Sequence, residues 1–578
     1  MNSQNLEEIG KKENNRQKQY KRRIFCCTST ACLSAGAGQT FSTVNQSVSA
    51  CKCAENEAEV VQTGCMGLCS RGPMVRVDYR DGESTLYGNV SPEIAQLIIA
   101  HHLPIEGKDS EIERSSGDVA SPHDMLHFRA SLREARGKKG LEKYIIPTDL
   151  PFYSKQVKVV LNEIGQINPN KIEDYLAHGG YKALTYVLEN LTPEEICDEI
   201  LHSGLRGRGG AGYPTGQKWH FVRQEDSRPK FVIVNGDEGD PGAYMDRTVM
   251  EDNPHRVLEG MIICAYAVGA TNGYLYIRGE YPIAIDRVKN AILAARRHRI
   301  LGNSVLGTDF SFNAEVRIGA GAFVCGEETA LINSVEGKRG MPRIRPPYPS
   351  KSGLWKAPTV INNVETMANI PSIINRGASW FASIGTEKSK GTKVFALAGQ
   401  LRNTGLIEVP IGITLRDIVF EIGGGIPGDR DFKAAQTGGP SGGCIPSEFL
   451  DSPVDYESLT RLGSIMGSGG LVIIDDSTGM PGFARFFMDF CMDESCGKCV
   501  PCRIGTVQIR SLLDKIISGK GVAEDLVKLE NLCKLVKNTS LCGLGQSAPN
   551  PVLSTLRYFN HEYQAIVQPS LPVSSGND

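Results

Sequence analysis

No stretch of this 578-residue chain is apolar for long enough to cross a bilayer, and no basic stripe interleaved with aromatics appears. Residues 1–23 are polar and charged and lack the apolar core of a signal peptide, which sets the expectation of a cytoplasmic protein without direct membrane insertion. A formal net charge of -2 leaves no electrostatic footprint for nucleic acid. No tandem repeat is evident. What is present is a hydrophobic fraction of 40% against 22% charged residues, enough to build cores, in a chain too long for one. The length alone implies roughly three or four domains.

Seventeen cysteines stand out in a chain expected in a reducing compartment, where clustered thiols point to metal or redox chemistry rather than disulfides. They gather near the two ends, and single residues such as Cys197, Cys264 and Cys444 read as small core residues. Cys496, Cys499 and Cys502 are separated by two-residue gaps and can wrap one face of a cubane. Cys542, after two helical stretches, can return as the fourth thiolate of a [4Fe–4S] site. Structural zinc also takes four cysteines, more often as two separate pairs. At the front, Cys27 and Cys32 form one pair and Cys65 and Cys69 another, which suits the two irons of a [2Fe–2S] rhomb; zinc competes on spacing alone. Cys26, Cys51 and Cys53 complicate the choice, and the four-residue spacer favours Cys27 over Cys26.

Residues 1–22 read as a flexible lead, loosely helical at most. Residues 23–103 hold short strand-like runs at 74–79 and 84–87 and a helical pattern at 92–100, a compact α/β unit. Residues 104–147 are charged and poor in apolar side chains and read as a linker. The centre, 148–385, alternates apolar runs at 231–234, 274–277 and 315–318 with polar, glycine-rich turns, where α/β sheets hold their ligands. Residues 386–480 are rich in strands and glycine. Residues 481–568 turn helical, and 569–578 read as a disordered tail.

Three loops carry the central chemistry. Gly204-Leu-Arg-Gly-Arg-Gly-Gly-Ala-Gly-Tyr-Pro-Thr-Gly216 offers amides and two arginines to a phosphate, yet does not sit between strand and helix in the Rossmann manner. Asn235-Gly-Asp-Glu-Gly-Asp-Pro-Gly242 follows a buried strand; its carboxylates suit ribose hydroxyls, an amide or a divalent cation. Gly319-Ala-Gly-Ala-Phe-Val-Cys-Gly-Glu-Glu328 leads from strand to helix and puts two carboxylates in a first helical turn, where they also serve the helix dipole. Each loop is weak alone. Three together, beside cluster-type cysteines, argue for a nucleotide-type redox cofactor.

These loops, with Lys218-Trp219 and Glu494-Ser-Cys-Gly-Lys-Cys-Val-Pro-Cys-Arg503, resemble the flavoprotein NADH-binding subunit of respiratory complex I over roughly residues 150–560. The front unit resembles the thioredoxin-like [2Fe–2S] module. Fusion of the two looks most like the diaphorase flavoprotein subunit of bidirectional NAD-linked [NiFe] hydrogenase. The flavoprotein of NAD-linked formate dehydrogenase and the flavoprotein of an NADH:quinone oxidoreductase are the alternatives. A redox-inactive zinc scaffold is the alternative of another class.

The resemblance implies an α/β multidomain chain. It would comprise a thioredoxin-like ferredoxin domain, a central non-standard Rossmann-like FMN/NADH domain, a small β-grasp-like domain and a C-terminal helical bundle carrying the [4Fe–4S] cluster. It implies hydride exchange between NAD(H) and FMN and single-electron steps through the clusters, with no side-chain nucleophile or general base. By resemblance Gly207, Gly209, Gly210 and Lys218 would hold the FMN phosphate and ring region, and Asn235, Asp237, Glu238, Gly326, Glu327, Asn362 and Asn363 the flavin. Arg208, Ala211, Gly212 and Phe323 lie in the same loops and count with them. Tyr213, Phe221 and Tyr348 match rings that stack on NADH, and Glu328 would accept its hydrogen bonds. Asp240, Arg345 and Tyr348 depart from the family's usual Glu, Lys and Phe. An acidic lining of Glu238, Asp240, Glu327 and Glu328 would repel a 2′-phosphate and favour NAD(H) over NADP(H). Partners would be other diaphorase and hydrogenase or dehydrogenase subunits, small iron–sulfur subunits among them.

Overall fold

The computed structural model of the chain describes residues 3–51, 56–104, 130–132 and 140–568. Cys53, the expected tail at 569–578 and most of the expected linker lie outside the described residues. Among the described residues, no helix is long and apolar enough to cross a membrane.

Three sheets organise the chain. The first is built from β1 (Arg22–Cys27), β2 (Ala58–Thr63), β3 (Val75–Tyr79), β4 (Ser84–Tyr87) and β5 (Ile145–Ile146), in the order β2-β1-β3-β4-β5. Strand period two splits β1 cleanly. Ile24 and Cys26 face a core closed by the helices Ala37–Ala50 and Pro92–His102, whereas Phe25 and Cys27 face the opposite side. β5 corrects the expected boundary, because residues assigned to the linker pair with β4 and complete this sheet.

The lead is a second correction. Residues 3–17 form a continuous helix (Ser3–Gln17) whose Leu6 is buried in the core of the central domain. Gln17 donates to Asp174, and Arg16 pairs with Glu59 on the front sheet, so the helix ties two domains together.

The central sheet consists of β6 (Phe231–Gly236), β7 (Asn272–Arg278), β8 (Asn313–Gly319) and β9 (Thr359–Asn363), all parallel, in the order β8-β7-β6-β9. The first three strands step outward from β6, and β9 returns to its other side. The order therefore reverses between β6 and β9, and the crevice beyond their C-terminal ends is where open α/β sheets receive ligands. Asn235 and Asn363 are register partners at that point.

The third sheet runs β11-β10-β14-β12-β13, from β10 (Thr392–Gly399), β11 (Gly405–Pro410), β12 (Phe432–Thr437), β13 (Cys444–Pro446) and β14 (Gly470–Asp475). Its inner face is continuous with the second face of the front sheet: Phe25, Cys27, Met66 and Phe152 share one core with Ile407, Ile418 and Ile473. The helices Met480–Asp493, Val500–Ile517, Ala523–Thr539 and Asn550–Tyr558 close a separate core around Leu513, Leu529 and Val552.

Candidate functional site

A cleft of about 1060 Å³ opens at the β6/β9 switch point. Its lining draws on the glycine loop (Gly209, Gly210, Ala211), the acidic loop (Asn235, Asp237, Glu238, Asp240) and the β8 loop (Phe323, Gly326, Glu327), together with Asn363. At Gly210 the backbone takes φ +120 and bridges to Gly467 of the third domain, where a side chain would meet the opposing backbone at 3.4 Å. The sequence reasoning missed Asp246, Tyr456 and the turn Met466, Gly467 and Ser468, all part of the lining. The glycines around 467–470 were the readable signal for that turn; nothing in the sequence marked Asp246.

Several expected ligands stand elsewhere. Gly207, Arg208, Gly212, Tyr213, Lys218, Phe221, Glu328, Arg345, Tyr348 and Asn362 are not in the lining. Arg208 corrects the expectation of two phosphate-facing arginines. It is fully buried, and its guanidinium donates to the carbonyls of Arg206 and Lys390, bracing the loop from beneath. Arg206 does line the cleft, stacked on Tyr456 and paired with Glu457 at 2.6 Å. Asn362 is occupied as the acceptor of the buried Trp219 indole N–H. Glu328 lies between Arg345 at 2.8 Å and Lys218 at 3.6 Å. Tyr213, Phe221 and Tyr348 are exposed, at 43%, 44% and 57%.

The carboxylates divide by environment. Glu327 caps the helix Glu328–Val335, accepting from the amides of Thr329 and Ala330. Burial pushes Asp237 up to about 7, against the lowering by Arg278 at 3.2 Å, and its Oδ2 has no hydrogen-bond partner. Burial pushes Asp240 up to about 6, opposed by a hydrogen bond from Ser468. Burial likewise raises Glu238 and Asp246, two neighbouring acids that repel one another. Asp246 accepts from Asn363 and from the Glu365 amide, and behind it Lys393 and Glu365 form a fully buried ion pair. A buried acceptor without a partner and a glycine-walled cradle are what a flavin's polar edge and phosphate arm require, so the residues fit FMN.

One wall of the cleft belongs to the C-terminal cysteines. Val324 and Leu544 line both the cleft and a small cavity enclosed by Cys496, Cys499, Cys502 and Cys542. Cys499 and Cys542 each immediately precede a helix, and the Cys542 thiol receives the amides of Leu544 and Gly545. Ser495 Oγ stands 3.3 Å from Cys502 Sγ, and the Glu494 carboxylate accepts from the Phe323 amide in the cleft loop. Burial holds the Cys502 thiol up at about 11, so ligation there must release a proton. Four thiols with backbone N–H donors fit a [4Fe–4S] cluster.

At the front, the neighbouring Cys32 thiol and burial hold the Cys27 thiol well above its ordinary range, the Cys65 thiol opposing them, and Cys65 Sγ lies 3.7 Å from Cys69 Sγ. Two thiolates on one tetrahedral metal stand ~3.8 Å apart. Cys26 sits in the core on the other face. Two pairs of thiols fit a [2Fe–2S] cluster. Among the described residues no three His, Cys, Asp or Glu converge on a single metal ion, an arrangement neither cluster requires, since a cube takes one protein thiolate per iron and a rhomb two.

This nest is enclosed by the rest of the chain. Asp252 accepts from the Cys65 amide at 2.6 Å and from Ser29, and Arg287 pairs with Asp252 at 3.3 Å. Tyr244 and Cys69 are both partly buried against the central core. The cysteine loop also bonds the third sheet, through Gly67 O to the Leu406 amide.

Comparison with known proteins gives these features a setting. Residues 200–372 match the Nuo51 FMN-binding domain, 482–566 the NADH-ubiquinone oxidoreductase-F iron-sulfur binding region, and 12–102 the thioredoxin-like [2Fe-2S] ferredoxin. The NADP-reducing hydrogenase subunit HndC of Solidesulfovibrio fructosivorans is 55% identical over 413 residues, 72% of this chain and 84% of that protein. The F 2 subunit of NADH-quinone oxidoreductase in Rhizobium meliloti (strain 1021) is 46% identical over 411 residues, 71% of this chain and 97% of that one. Among solved structures, a chain of NAD+-reducing [NiFe]-hydrogenase in the H2-reduced state superposes with a TM-score of 0.64 at 27% identity, covering 98% of this chain and 90% of that chain.

Proposed function

Because the chain belongs to the family of the NADH-quinone oxidoreductase F subunits and their hydrogenase counterparts, we propose that it is the NAD(H)-side electron-transfer subunit of an NAD-linked hydrogenase. It is an oxidoreductase subunit with an FMN-binding domain, a [4Fe–4S] binding region and a thioredoxin-like [2Fe–2S] domain. The observation that carries the proposal is the wall shared by cleft and cysteine cavity at Val324 and Leu544, which would place a flavin within one residue's thickness of the cluster.

Bound FMN supplies the conversion between a two-electron hydride and single electrons. The residues of this chain hold and orient. Gly209, Gly210 and Ala211 let backbone approach the phosphate arm, while Asn235, Asp237 and Asn363 address the ring from the switch point. Burial raises Glu238 and Asp246 beneath it, opposed at Glu238 by the amides of Arg247 and Asp246. Tyr213, Phe221 and Tyr348 offer stacking faces for the nucleotide, and Glu328, with Arg345 and Lys218, its polar contacts. Cys496, Cys499, Cys502 and Cys542 would ligate [4Fe–4S], and Cys27, Cys32, Cys65 and Cys69 would ligate [2Fe–2S]. The third domain takes the β-grasp-like role, and the partners are hydrogenase subunits in the cytoplasm, where the nicotinamide pool resides.

Asp240 and Glu327 in the cleft favour NAD(H); Glu328, outside the lining, is paired with two cations, and the 55% identical relative is named as NADP-reducing. The test is NADH- and NADPH-driven viologen reduction by anaerobically purified protein, with flavin and iron assayed on the same sample. About one FMN and about six irons per chain, with NADH the faster donor, is the expected result. Faster turnover with NADPH would reverse the nucleotide assignment, and stoichiometric zinc without flavin would remove the proposal.

A further inference from the structure

The helix Met480–Asp493 ends on Glu494 and Ser495, and these neighbours serve different cavities. The Glu494 carboxylate accepts from the Phe323 amide at 2.8 Å, and Phe323 lines the flavin cleft. Ser495 lines the small cavity enclosed by Cys496, Cys499, Cys502 and Cys542. The helix end fixes both, because the Glu494 amide returns to the Phe490 carbonyl at 3.0 Å and the Ser495 amide to the Met492 carbonyl at 3.3 Å. Phe490 also meets Phe323 edge-on, with ring centroids 5.2 Å apart. One short turn therefore ties a wall of the cleft to a cysteine of the cluster site.

At its far end the contact has a direction. Ser495 Oγ accepts from the Gly497 amide at 3.3 Å and lies 3.3 Å from the sulfur of the buried Cys502. A serine hydroxyl has one O–H to give, and the amide occupies only a lone pair. A ligating cysteine is a thiolate, which can only accept. The O–H therefore points from Ser495 to the Cys502 sulfur once iron is bound.

We infer that Ser495 is a positioning residue for the C-terminal cluster: its hydroxyl donates to the Cys502 sulfur and raises that cluster's potential relative to the flavin. The inference rests on the proposed ligation of [4Fe–4S] by Cys496, Cys499, Cys502 and Cys542. When one electron enters such a cluster its sulfurs gain negative charge, so an O–H donor favours the reduced form. No bond is made or broken in the step and no proton moves.

The test titrates wild type, Ser495→Ala and Ser495→Thr in the full chain, purified anaerobically, with dithionite as the electron source and electron paramagnetic resonance as the readout. Ser495→Ala should move the [4Fe–4S] midpoint to lower potential, so that the ratio of reduced to oxidised cluster at a fixed poise falls severalfold. Ser495→Thr, which keeps a hydroxyl, should stay near wild type. The [2Fe–2S] midpoint and the FMN content should hold in both. An unshifted midpoint in Ser495→Ala, an equal shift in Ser495→Thr, or an equal shift of the front cluster would overturn the inference. If Ser495→Ala does not retain the cluster, Ser495→Gly removes the same hydroxyl and is read in its place. Loss of the cluster from both would assign the hydroxyl to assembly rather than to potential, and would overturn the inference as well. Absence of any [4Fe–4S] signal from wild type would instead sink the ligand assignment beneath it.

Discussion

Asp237 puts a carboxyl group where water is scarce, with one oxygen facing Arg278 and the other unpartnered. Its folded-state pKa of about 7 lies above the ordinary value near 3.9, so the protonated form is the one the fold favours. The stability it contributes is complete below about pH 4 and is lost as pH rises through 7, a loss of up to ~4 kcal/mol before relaxation. Asp240, pushed up to about 6, works in the same direction. The flavin-free protein should therefore melt at lower temperature at about pH 7.5 than at about pH 5.5, and Asp237→Asn should flatten that slope; calorimetry at the two values decides it. The acidic loop itself was legible, because a run of carboxylates after a buried apolar strand has few other uses. The burial of Arg208 was not. Its charge suggested a phosphate contact, and only the fold brings the carbonyls of Arg206 and Lys390 to its guanidinium.

At the scale of elements, the helix Ser3–Gln17 shows how a polar lead acquires structure. Its composition gave no long apolar face, yet Leu6 is sunk into the central core and Ile9 packs against it. The approach is close at Gly10, where an added Cβ would meet the Leu176 carbonyl at 2.6 Å. Gly10→Ala should cost about 1–3 kcal/mol by overpacking, read as a lower denaturation midpoint. The C-terminal cysteines were legible from spacing because adjoining helices must present them together. Cys542→Ser should remove about four irons per chain and the associated resonance signal. FMN should remain, since among the cleft residues only those near Leu544 belong to that region. Retention of full iron would exclude Cys542 as a ligand. The β6/β9 switch point needed the strand order, which no local pattern encodes.

Across the whole molecule, the front domain is fused to the rest by buried charge. Arg287 and Asp252 are 6% and 0% exposed, and Arg287 also donates to Thr28 on the front domain. Arg287→Ala would strand the Asp252 carboxylate in the interior, a loss of about 3–5 kcal/mol. The [2Fe–2S] signal should be lost at a lower temperature than the bound flavin; simultaneous loss would mean that this contact does not hold the front domain. Sequence could not foresee that the front and third sheets share one core. Each strand's alternation names a buried face without naming what covers it.

The cleft's lining extends from Arg206 to Ser547, with Gly467 and Leu544 as distant walls. During synthesis, then, the glycine and acidic loops leave the ribosome long before the surfaces that complete their pocket. The front nest is likewise left open until Tyr244 and Asp252 have emerged. The cleft is therefore complete only once residues as late as Leu544 are in place.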